Sequence, residues 1–353
     1  MRICVIGSSR FPVREPFAGG LEAHTHALVR ELVRRGHQVT LFAAAGTDPC
    51  LPVEHLSYPS FQPSDAARRD VAAPAGDWLR EHHAYLGLML ELASGRRRFD
   101  VVHNNSVHHL PIALSALVAA PMVTTLHTPP LGMLESAVAL SDGGVRFIAV
   151  SDATAKAWAP RVPSATIHNG IDLETWTPGA GGGPAVWFGR LVPEKAPHQA
   201  IIAARAAQIP LLLAGPCWDP GYFADQVAPR LGGSVTYLGH LRHQQLSALL
   251  REASVAVMTP TWEEPYGLVA AEAMACGTPV AAYARGALPE LIDDRVGALA
   301  RPDDTDDLAA AMRRAATRDR TQVRRHVERR FSLRTMVDHY ESAFQDAMAG
   351  SRP

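Results

Sequence analysis

Two series of short apolar runs, each alternating with helical stretches, limit the folds open to this chain more than any other feature of its sequence. Short apolar strands that alternate with helices form βαβ units, and such units assemble into parallel sheets. We therefore predict an α/β chain with two parallel sheets. The first series places strands at 3–7, 38–42, 100–103, 122–126 and 147–150, and the second places them at 185–188, 210–214, 235–238 and 254–258.

A stretch rich in glycine and proline separates the two series. Residues 177–184 read Thr-Pro-Gly-Ala-Gly-Gly-Gly-Pro, and glycine and proline at this density mark a linker. The chain has 353 residues, which is too long for one ordinary core and suits two domains of about 150–180 residues each. We predict an N-terminal domain at 1–170, a linker at 171–184, a C-terminal domain at 185–330 and an amphipathic helix within 331–353.

Composition excludes several classes of function. The net charge is −1 with 20% charged residues, so no nucleic-acid partner is expected. The four cysteines lack C-x-x-C spacing, which favours a reducing compartment over a disulfide framework or a zinc site. The chain starts directly with a strand and has no apolar run of about 18 residues, so we expect a soluble, cytoplasmic protein. Arg96 to Arg98 could make a peripheral contact with an anionic membrane, although a solvated helix end is the interpretation we favour. The sequence contains no signal for an oligomeric state.

One stretch of the second series, residues 263–280, has the pattern of a ligand-binding loop that leads into a helix. It reads E-E-P-Y-G-L-V-A-A-E-A-M-A-C-G-T-P-V and follows an apolar run at 254–258. The helix therefore starts at the carboxyl end of a strand, where open α/β sheets bind ligands. The amides of Gly267, Leu268 and Val269 favour a phosphate there. Glu264 and Glu272 lie on either side, a layout that suits a sugar nucleotide.

This stretch resembles the signature of the retaining GT-B glycosyltransferases of family 4, the group that includes glycogen synthase. The resemblance implies that Glu264 binds hydroxyls of the donor sugar and Glu272 the ribose hydroxyls, with Tyr266 also in the donor site. It further implies two facing Rossmann-like domains, with the helix in 331–353 crossing back to the N-terminal domain. The plainer alternative is a helix with one exposed and one capping glutamate.

Two cations follow the first strand of the second series. Arg190 and Lys195 occur in G-R-L-V-P-E-K at 189–195, and a diphosphate needs about that much positive charge. The segment is similar to the diphosphate-binding segment of family 4, which implies catalysis without a metal or other cofactor. A surface ion pair is the alternative.

His127 follows a predicted strand in T-L-H-T-P. It matches a histidine that family 4 enzymes place beside the donor sugar and the leaving phosphate. An imidazole could donate a hydrogen bond to that oxygen as charge develops on it, so we assign His127 to catalysis. A purely structural histidine is the alternative.

Two glycines stand at the entrance of the first helix. Gly19 and Gly20 would let a phosphate approach the backbone without a Cβ in the way, and we assign both to the donor site. Residues 19–24 also resemble the glycine-rich acceptor-side loop of the family, although a flexible turn would look the same. We assign Arg14 and Glu15 to the acceptor, because the loop before the helix is unusually long. His24 is assigned to the acceptor through the resemblance of residues 19–24 to the family's acceptor-side loop.

Together these features predict a retaining hexosyltransferase that needs no metal. The donor would be a nucleoside-diphosphate sugar, most simply a UDP- or GDP-sugar, and the acceptor a hydroxyl of a small molecule, glycan or lipid. His127, Arg190, Lys195 and Glu264 would carry the catalysis. Three alternatives remain open: a sugar-nucleotide epimerase of the same fold, a phosphorylase, and a non-catalytic sugar-nucleotide-binding protein.

Overall fold

The computed structural model describes residues 1–56, 61–141 and 143–350, and two parallel sheets form its framework. The strands of the first sheet are β1 Arg2–Ile6, β2 Gln38–Ala43, β3 Val53–His55, β4 Val101–Asn104, β5 Met122–Leu126, β6 Val145–Ala149 and β7 Ala165–Thr166. Those of the second are β8 Ala185–Phe188, β9 Leu211–Ala214, β10 Val235–Tyr237, β11 Ala256–Met258, β12 Val280–Tyr283 and β13 Gly297–Ala300. The strand orders are β3-β2-β1-β4-β5-β6-β7 and β10-β9-β8-β11-β12-β13.

Helices cover both faces of each sheet. They are α1 Gly20–Arg34, α2 Asp65–Arg68, α3 Gly76–Ala93, α4 Leu110–Ala113, α5 Gly132–Leu140, α6 Asp152–Trp158, α7 Pro197–Ala207, α8 Pro220–Tyr222, α9 His243–Glu252, α10 Leu268–Ala275, α11 Leu288–Leu291, α12 Thr305–Ala315, α13 Arg320–Arg330 and α14 Leu333–Gly350. Within the described ranges, none of these helices has both the length and the apolar character needed to span a membrane.

The strands are apolar on both sides because both sides are buried. In β1, Ile3 and Val5 pack in the layer that contains α1 and α14, whereas Cys4 and Ile6 pack in the layer that contains α3. Successive side chains of a strand point to opposite faces, so a sheet covered on both faces requires a continuous apolar run. The sequence pattern located β1 for this reason. It missed β3 and β7, which are edge strands with partly exposed residues. It also missed β12, which is fully buried, and the edge strand β13.

The strand orders place one crevice in each domain. The chain reverses direction across the first sheet between β1 and β4, and across the second between β8 and β11. In open parallel sheets, ligands bind at such points, beyond the carboxyl ends of the strands. The loops that follow these four strands are therefore the ones expected to form a site.

The chain passes between the domains twice, and the two passages pair with each other. The Ile171 N–H donates to the Phe331 carbonyl at 2.8 Å, and the Leu333 N–H donates to the Ile171 carbonyl at 2.9 Å. A Cβ on Gly170 would lie 2.6 Å from the Leu333 Cα, so only glycine permits this approach. Helix α14 then packs against the N-terminal sheet, where Phe344 is fully buried. This agrees with the predicted helix that crosses back to the first domain; residues 351–353 lie outside the described part.

The packing of α14 predicts the effect of removing a core side chain. Replacing Phe344 with alanine should lower the free energy of unfolding of the N-terminal domain by about 3–5 kcal/mol, because a buried aromatic ring is lost and a cavity remains. Urea denaturation would measure the change. The control is Leu140→Ala on α5, whose side chain is 82% exposed, and it should change stability by less than about 0.5 kcal/mol. An unchanged midpoint for Phe344→Ala would contradict the assignment of α14 to this core.

Candidate functional site

A cavity of about 680 Å³ lies between the two sheets, and both domains line it. Its walls come from the loops after β1, β4 and β5 on one side and after β8 and β11 on the other. This volume is in the range of small-molecule sites. The sequence-predicted residues that line it are His127, Arg190, Lys195, Glu264, Gly19, Gly20, Tyr266, Gly267, Leu268, Val269 and Glu272.

A left-handed glycine forms the turn that leads into α10. Gly267 has a φ of +94°, and a Cβ there would lie 2.7 Å from the Leu288 Cδ2 atom. The helix begins at the next residue, so the amides of Leu268 and Val269 have no acceptor within the helix. No described residue accepts a hydrogen bond from either amide. The start of α10 can therefore donate two N–H groups to an anion in the cavity.

The loop before this turn is held by both domains. A Cβ on Gly286 would lie 2.2 Å from the Glu264 carbonyl oxygen, so the loop rests directly on the Gly286 backbone. From the N-terminal domain, the hydroxyls of Ser151 and Thr154 donate to the Pro265 carbonyl at 2.6 and 3.1 Å. These contacts fix the backbone of the loop at Glu264 and Pro265.

Two cations face the cavity from the loop after β8. The Lys195 Nζ lies 2.5 Å from the Glu264 Oε2 atom and 5.1 Å from the centre of the Trp262 ring. The Arg190 guanidinium lies 4.8 Å from the centre of the Trp218 ring. The Arg190 guanidinium also lies 3.7 Å from the Glu194 Oε1 atom. Arg190 and Lys195 belong to the same C-terminal lining of the cavity as the α10 amides, so the C-terminal domain offers an anion both cations and free N–H groups.

Glu272 presents a buried carboxyl group to the same cavity. The residue is 7% exposed, and burial raises its pKa to about 8. No neighbouring cation offsets that effect, so the carboxyl is largely protonated at neutral pH. A ligand that donates hydroxyl groups would favour the ionised form and lower this pKa.

A chain of hydrogen bonds fixes the tautomer of His127. The Thr25 hydroxyl donates to the Leu21 carbonyl at 2.7 Å, so its oxygen accepts from the Asn105 Nδ2 at 2.7 Å. The Asn105 Oδ1 atom must then accept from the His127 Nε2–H, at 2.6 Å. Burial, with smaller effects from His24 and His103, lowers the pKa of His127 well below its ordinary value. The ring is therefore neutral, with its proton on Nε2 and a lone pair on Nδ1.

This tautomer changes the role expected for His127. The sequence suggested that the ring donates a hydrogen bond to a leaving phosphate oxygen, but its only proton already goes to Asn105. The remaining nitrogen, Nδ1, accepts hydrogen bonds. His127 is thus suited to bind a hydroxyl group of a ligand. From sequence, Asn105 and His127 both follow predicted strands, but Asn105 received no role, since no local pattern connects residues 105 and 127.

The three residues assigned to an acceptor are not brought together. Arg14 and Glu15 line a second, smaller pocket that faces the C-terminal domain, and Glu15 lies 3.5 Å from the His243 ring. His24 lines neither pocket, because it is 4% exposed and packs edge-on against His127 with ring centres 5.2 Å apart. Burial lowers the pKa of His24 to about 4.

The two glycines before α1 have a packing role in this structure. A Cβ on Gly20 would lie 2.9 Å from the Leu268 Cδ1 atom, so Gly20 lets α1 start against the α10 loop. The buried carboxyl of Glu22 occupies the same helix start. Burial raises its pKa to about 7, and this rise is reduced by the nearby amides of Glu22 and Gly19, by the Ser8 hydroxyl and by the charge of Arg190. A Cβ on Gly19 would lie 3.4 Å from the Glu22 Oε2 atom, so the carboxyl group lies beside the predicted phosphate position. The position of Glu22, three residues after the N-cap, could have revealed this placement.

A cluster of Asp152, His168 and Glu290 lies close to the passage between the domains. Among the described residues, these three could converge on a metal ion. However, the Glu290 carboxylate accepts from the Asp152 and Ala153 amides at 2.9 and 2.6 Å. It therefore caps α6 and joins the two domains.

Comparisons with known proteins match both halves of the chain. The sequence model for "Glycosyltransferase Family 4" matches residues 18–175, and that for "Glycosyl transferases group 1" matches residues 185–330. A glycogen synthase from Mycobacterium tuberculosis is 31% identical over 408 aligned residues, covering 100% of this chain and 96% of that protein. A D-inositol 3-phosphate glycosyltransferase from Saccharomonospora viridis is 29% identical over 419 residues, covering 99% and 95%.

Solved structures share the two-domain fold. A sucrose-phosphate synthase from Thermosynechococcus elongatus superposes with a TM-score of 0.75 at 21% identity, covering 99% of this chain and 100% of that one. Anabaena HepE in complex with UDP and glucose gives 0.76 at 21% identity, covering 98% and 100%. The GT-B fold predicted from sequence is thereby confirmed.

The hydrogen-bond chain behind His127 predicts how the ring titrates. In the unaltered protein, ¹⁵N NMR of labelled histidines should show His127 as the Nε2–H tautomer, with no titration near pH 6.5. Replacing Asn105 with aspartate puts a carboxylate beside Nε2 and should raise the pKa of His127 by about 1–3. The His127→Gln variant identifies the ¹⁵N signals of His127, because they are absent from its spectrum. An Nδ1–H tautomer in the unaltered protein would contradict the hydrogen-bond chain.

Proposed function

The chain belongs to glycosyltransferase family 4, and from that membership and the geometry of its cavity we propose that it transfers a hexose from a nucleoside-diphosphate sugar to an acceptor hydroxyl, with retention of configuration and without a metal ion. The observation that carries the proposal is that three groups able to bind an anion line one cavity from the C-terminal domain. These are the α10 amides, Arg190 and Lys195.

The diphosphate is seated at the start of α10. Leu268 and Val269 donate their N–H groups to it, and Arg190 and Lys195 neutralise its charge. Lys195 stays in contact with Glu264, so one ion pair joins the phosphate site to the sugar site. Anabaena HepE, which shares the fold, has a crystal structure in complex with UDP and glucose. This supports a UDP-sugar as the first donor to test.

The two ends of the donor are bound by different carboxyl groups. Glu272, in the second turn of α10, accepts hydrogen bonds from the ribose hydroxyls. Glu264, on the other side of the turn, accepts from hydroxyls of the sugar, and the Nδ1 of His127 accepts from another sugar hydroxyl. Buried carboxyl and imidazole groups without such partners are costly, so the ligand completes their hydrogen bonding.

Catalysis then consists of stabilising the leaving diphosphate. As the sugar–oxygen bond breaks, negative charge grows on the phosphate oxygen that faces Arg190, Lys195 and the α10 amides, which are already in place. These groups supply the positive charge that a divalent ion would otherwise provide. Because Glu264 is paired with Lys195, we propose that the acceptor attacks from the face the diphosphate leaves, which retains the configuration.

The first experiment is calorimetric titration with UDP, GDP, ADP and dTDP, and then with their hexose conjugates, in the presence of EDTA. Micromolar binding of one nucleotide would support the donor site, and NMR of the product anomer would report retention. Binding that requires a divalent ion would overturn the metal-free proposal. Product formed from the donor alone would indicate an epimerase, and acceptance of inorganic phosphate would indicate a phosphorylase.

Nucleotide binding should release a proton from Glu272. Its pKa is about 8 in the free protein, and ribose hydroxyls that stabilise the carboxylate lower that value in the complex. Affinity should therefore rise with pH through the neutral range and level off above about pH 8. Calorimetry in buffers of different ionisation enthalpy would count the protons. Glu272→Gln should bind without proton release, and Glu272→Ala should bind roughly 10- to 150-fold more weakly. A pH-independent affinity in the unaltered protein would count against this role.

Replacing Lys195 with alanine should lower kcat by about 10²–10³-fold, because charge on the leaving group loses a preorganised partner. The chain has one other lysine, the exposed Lys156, and Lys156→Ala is the matched control with unchanged kinetics. Steady-state rates of nucleotide release in EDTA would measure both. A loss confined to KM would show that Lys195 binds the donor without stabilising the transition state.

A further inference from the structure

Trp218 lines the cavity beside Arg190. We propose that Trp218 is a positioning residue whose ring holds the Arg190 guanidinium toward the diphosphate, and that a contact with Phe11 makes this hold depend on the N-terminal domain. The inference rests on the proposed function, because it takes Arg190 as a group that stabilises the leaving diphosphate. It adds how that cation is kept in place before the reaction.

The Arg190 side chain has few other contacts that fix its position. Its guanidinium makes no hydrogen bond to a residue of the described ranges, and the Glu194 carboxylate is 3.7 Å away, beyond hydrogen-bond distance. Glu22, across the cavity, interacts with it only through charge. By contrast, the Arg320 guanidinium donates to the Gly179 carbonyl at 2.9 Å. A long side chain without such a hydrogen bond has many orientations open to it.

The Trp218 ring restricts these orientations. The central carbon of the Arg190 guanidinium lies over the ring, 4.8 Å from its centre. That distance is within the limit of about 6 Å for a cation–π interaction, for which tryptophan is the best ring. A ring face accepts the cation without using its N–H groups as hydrogen-bond donors to an oxygen. Those N–H groups therefore stay available to a diphosphate while the side chain is held.

The backbone that carries this pair is tightly packed. A Cβ on Gly215 would lie 1.8 Å from the Gly189 carbonyl oxygen, so the loops after β8 and β9 touch directly. The two loops are also hydrogen-bonded, since the Leu191 N–H donates to the Pro216 carbonyl at 2.9 Å. Because both loops are tied at these points, the arginine and the tryptophan keep a fixed spacing.

The tryptophan also connects the cation to the other domain. Phe11, in the loop after β1, packs against Trp218 with ring centres 4.9 Å apart and planes 37° apart. Trp218 is still 38% exposed with this contact in place, so losing Phe11 would leave its side chain freer to move. Phe11, Trp218 and Arg190 thus form a row of side chains that leads from the N-terminal domain to the cation.

The test uses variants of Trp218 that separate a ring face from apolar bulk. Nucleotide release in EDTA is followed from the hexose conjugate that calorimetry identifies, and the stoichiometry of binding gives the fraction of active protein. Trp218→Leu keeps apolar bulk without a ring face, and it should lower kcat roughly 5- to 30-fold, the size of one partly desolvated cation–π contact. Trp218→Phe keeps a ring face and should lower kcat less than about threefold. Equal losses in the two variants would overturn the inference.

The matched control is a tryptophan of similar exposure elsewhere in the protein. Trp78 on α3 is 39% exposed and lines neither described pocket. Trp78→Leu should leave kcat unchanged.

Double variants show whether Trp218 acts through Arg190. In an Arg190→Ala background, Trp218→Leu should change kcat by less than about twofold, because the cation that the ring holds is already absent. Phe11→Ala should lower kcat at least about twofold in the unaltered protein and have no effect in Trp218→Leu. Losses that add in Arg190→Ala would overturn the positioning role, and an unchanged kcat in Phe11→Ala would overturn the part assigned to Phe11.

A failure of the proposed function would look different. If no nucleotide sugar binds, or if Arg190→Ala leaves kcat unchanged, the role of Arg190 in that function fails and the positioning role fails with it. If a nucleotide sugar binds and Arg190→Ala lowers kcat while Trp218→Leu does not, only this inference fails.

Discussion

The left-handed turn at Gly267 is the constraint on which the site depends. It ends the loop after β11 and starts α10 with two unpaired amides that face the cavity. The same turn sets the side chains around it: Glu264 before it meets Lys195, and the Tyr266 hydroxyl donates to the Asn169 carbonyl at 2.7 Å. Gly286 lies directly beneath the loop and leaves no space for a Cβ. One backbone conformation thus positions the two free amides, the Glu264 carboxylate and a contact with the chain passage between the domains.

The two domains are joined on both sides of the cavity. Near the two chain passages, Glu290 caps α6 and the Pro265 carbonyl accepts from Ser151 and Thr154. At the other edge, the loop after β1 contacts the C-terminal domain, where the His240 ring meets the Phe17 carbonyl at 3.2 Å. These contacts hold the cavity linings of the two domains opposite each other.

Charged and neutral groups of the cavity come from different domains. Arg190, Lys195 and the α10 amides belong to the C-terminal lining, whereas the imidazoles of His108 and His127 belong to the N-terminal lining. Burial keeps Glu272 largely protonated and holds His108 and His127 neutral. Because these three groups carry little charge, the two cations of the C-terminal lining dominate its attraction for an anion.

Local patterns in the sequence determined the architecture and most of the proposed donor site. Apolar runs located most of the central strands, although not β12. Arg190, Lys195, Glu264 and Glu272 belong to short motifs whose parts are close along the chain. Those residues do line one cavity.

Tertiary structure alone decided the protonation and the pairing of these groups. The tautomer of His127 depends on Asn105, which in turn depends on Thr25, and the three come from separate elements. Likewise, Arg10 meets Glu81 from α3, and His24 lies behind the cavity wall although the sequence suggested that it lined the wall. The physical reason is that a motif fixes the backbone around a residue, whereas hydrogen bonding, burial and charge pairing are set by neighbours that are distant in sequence.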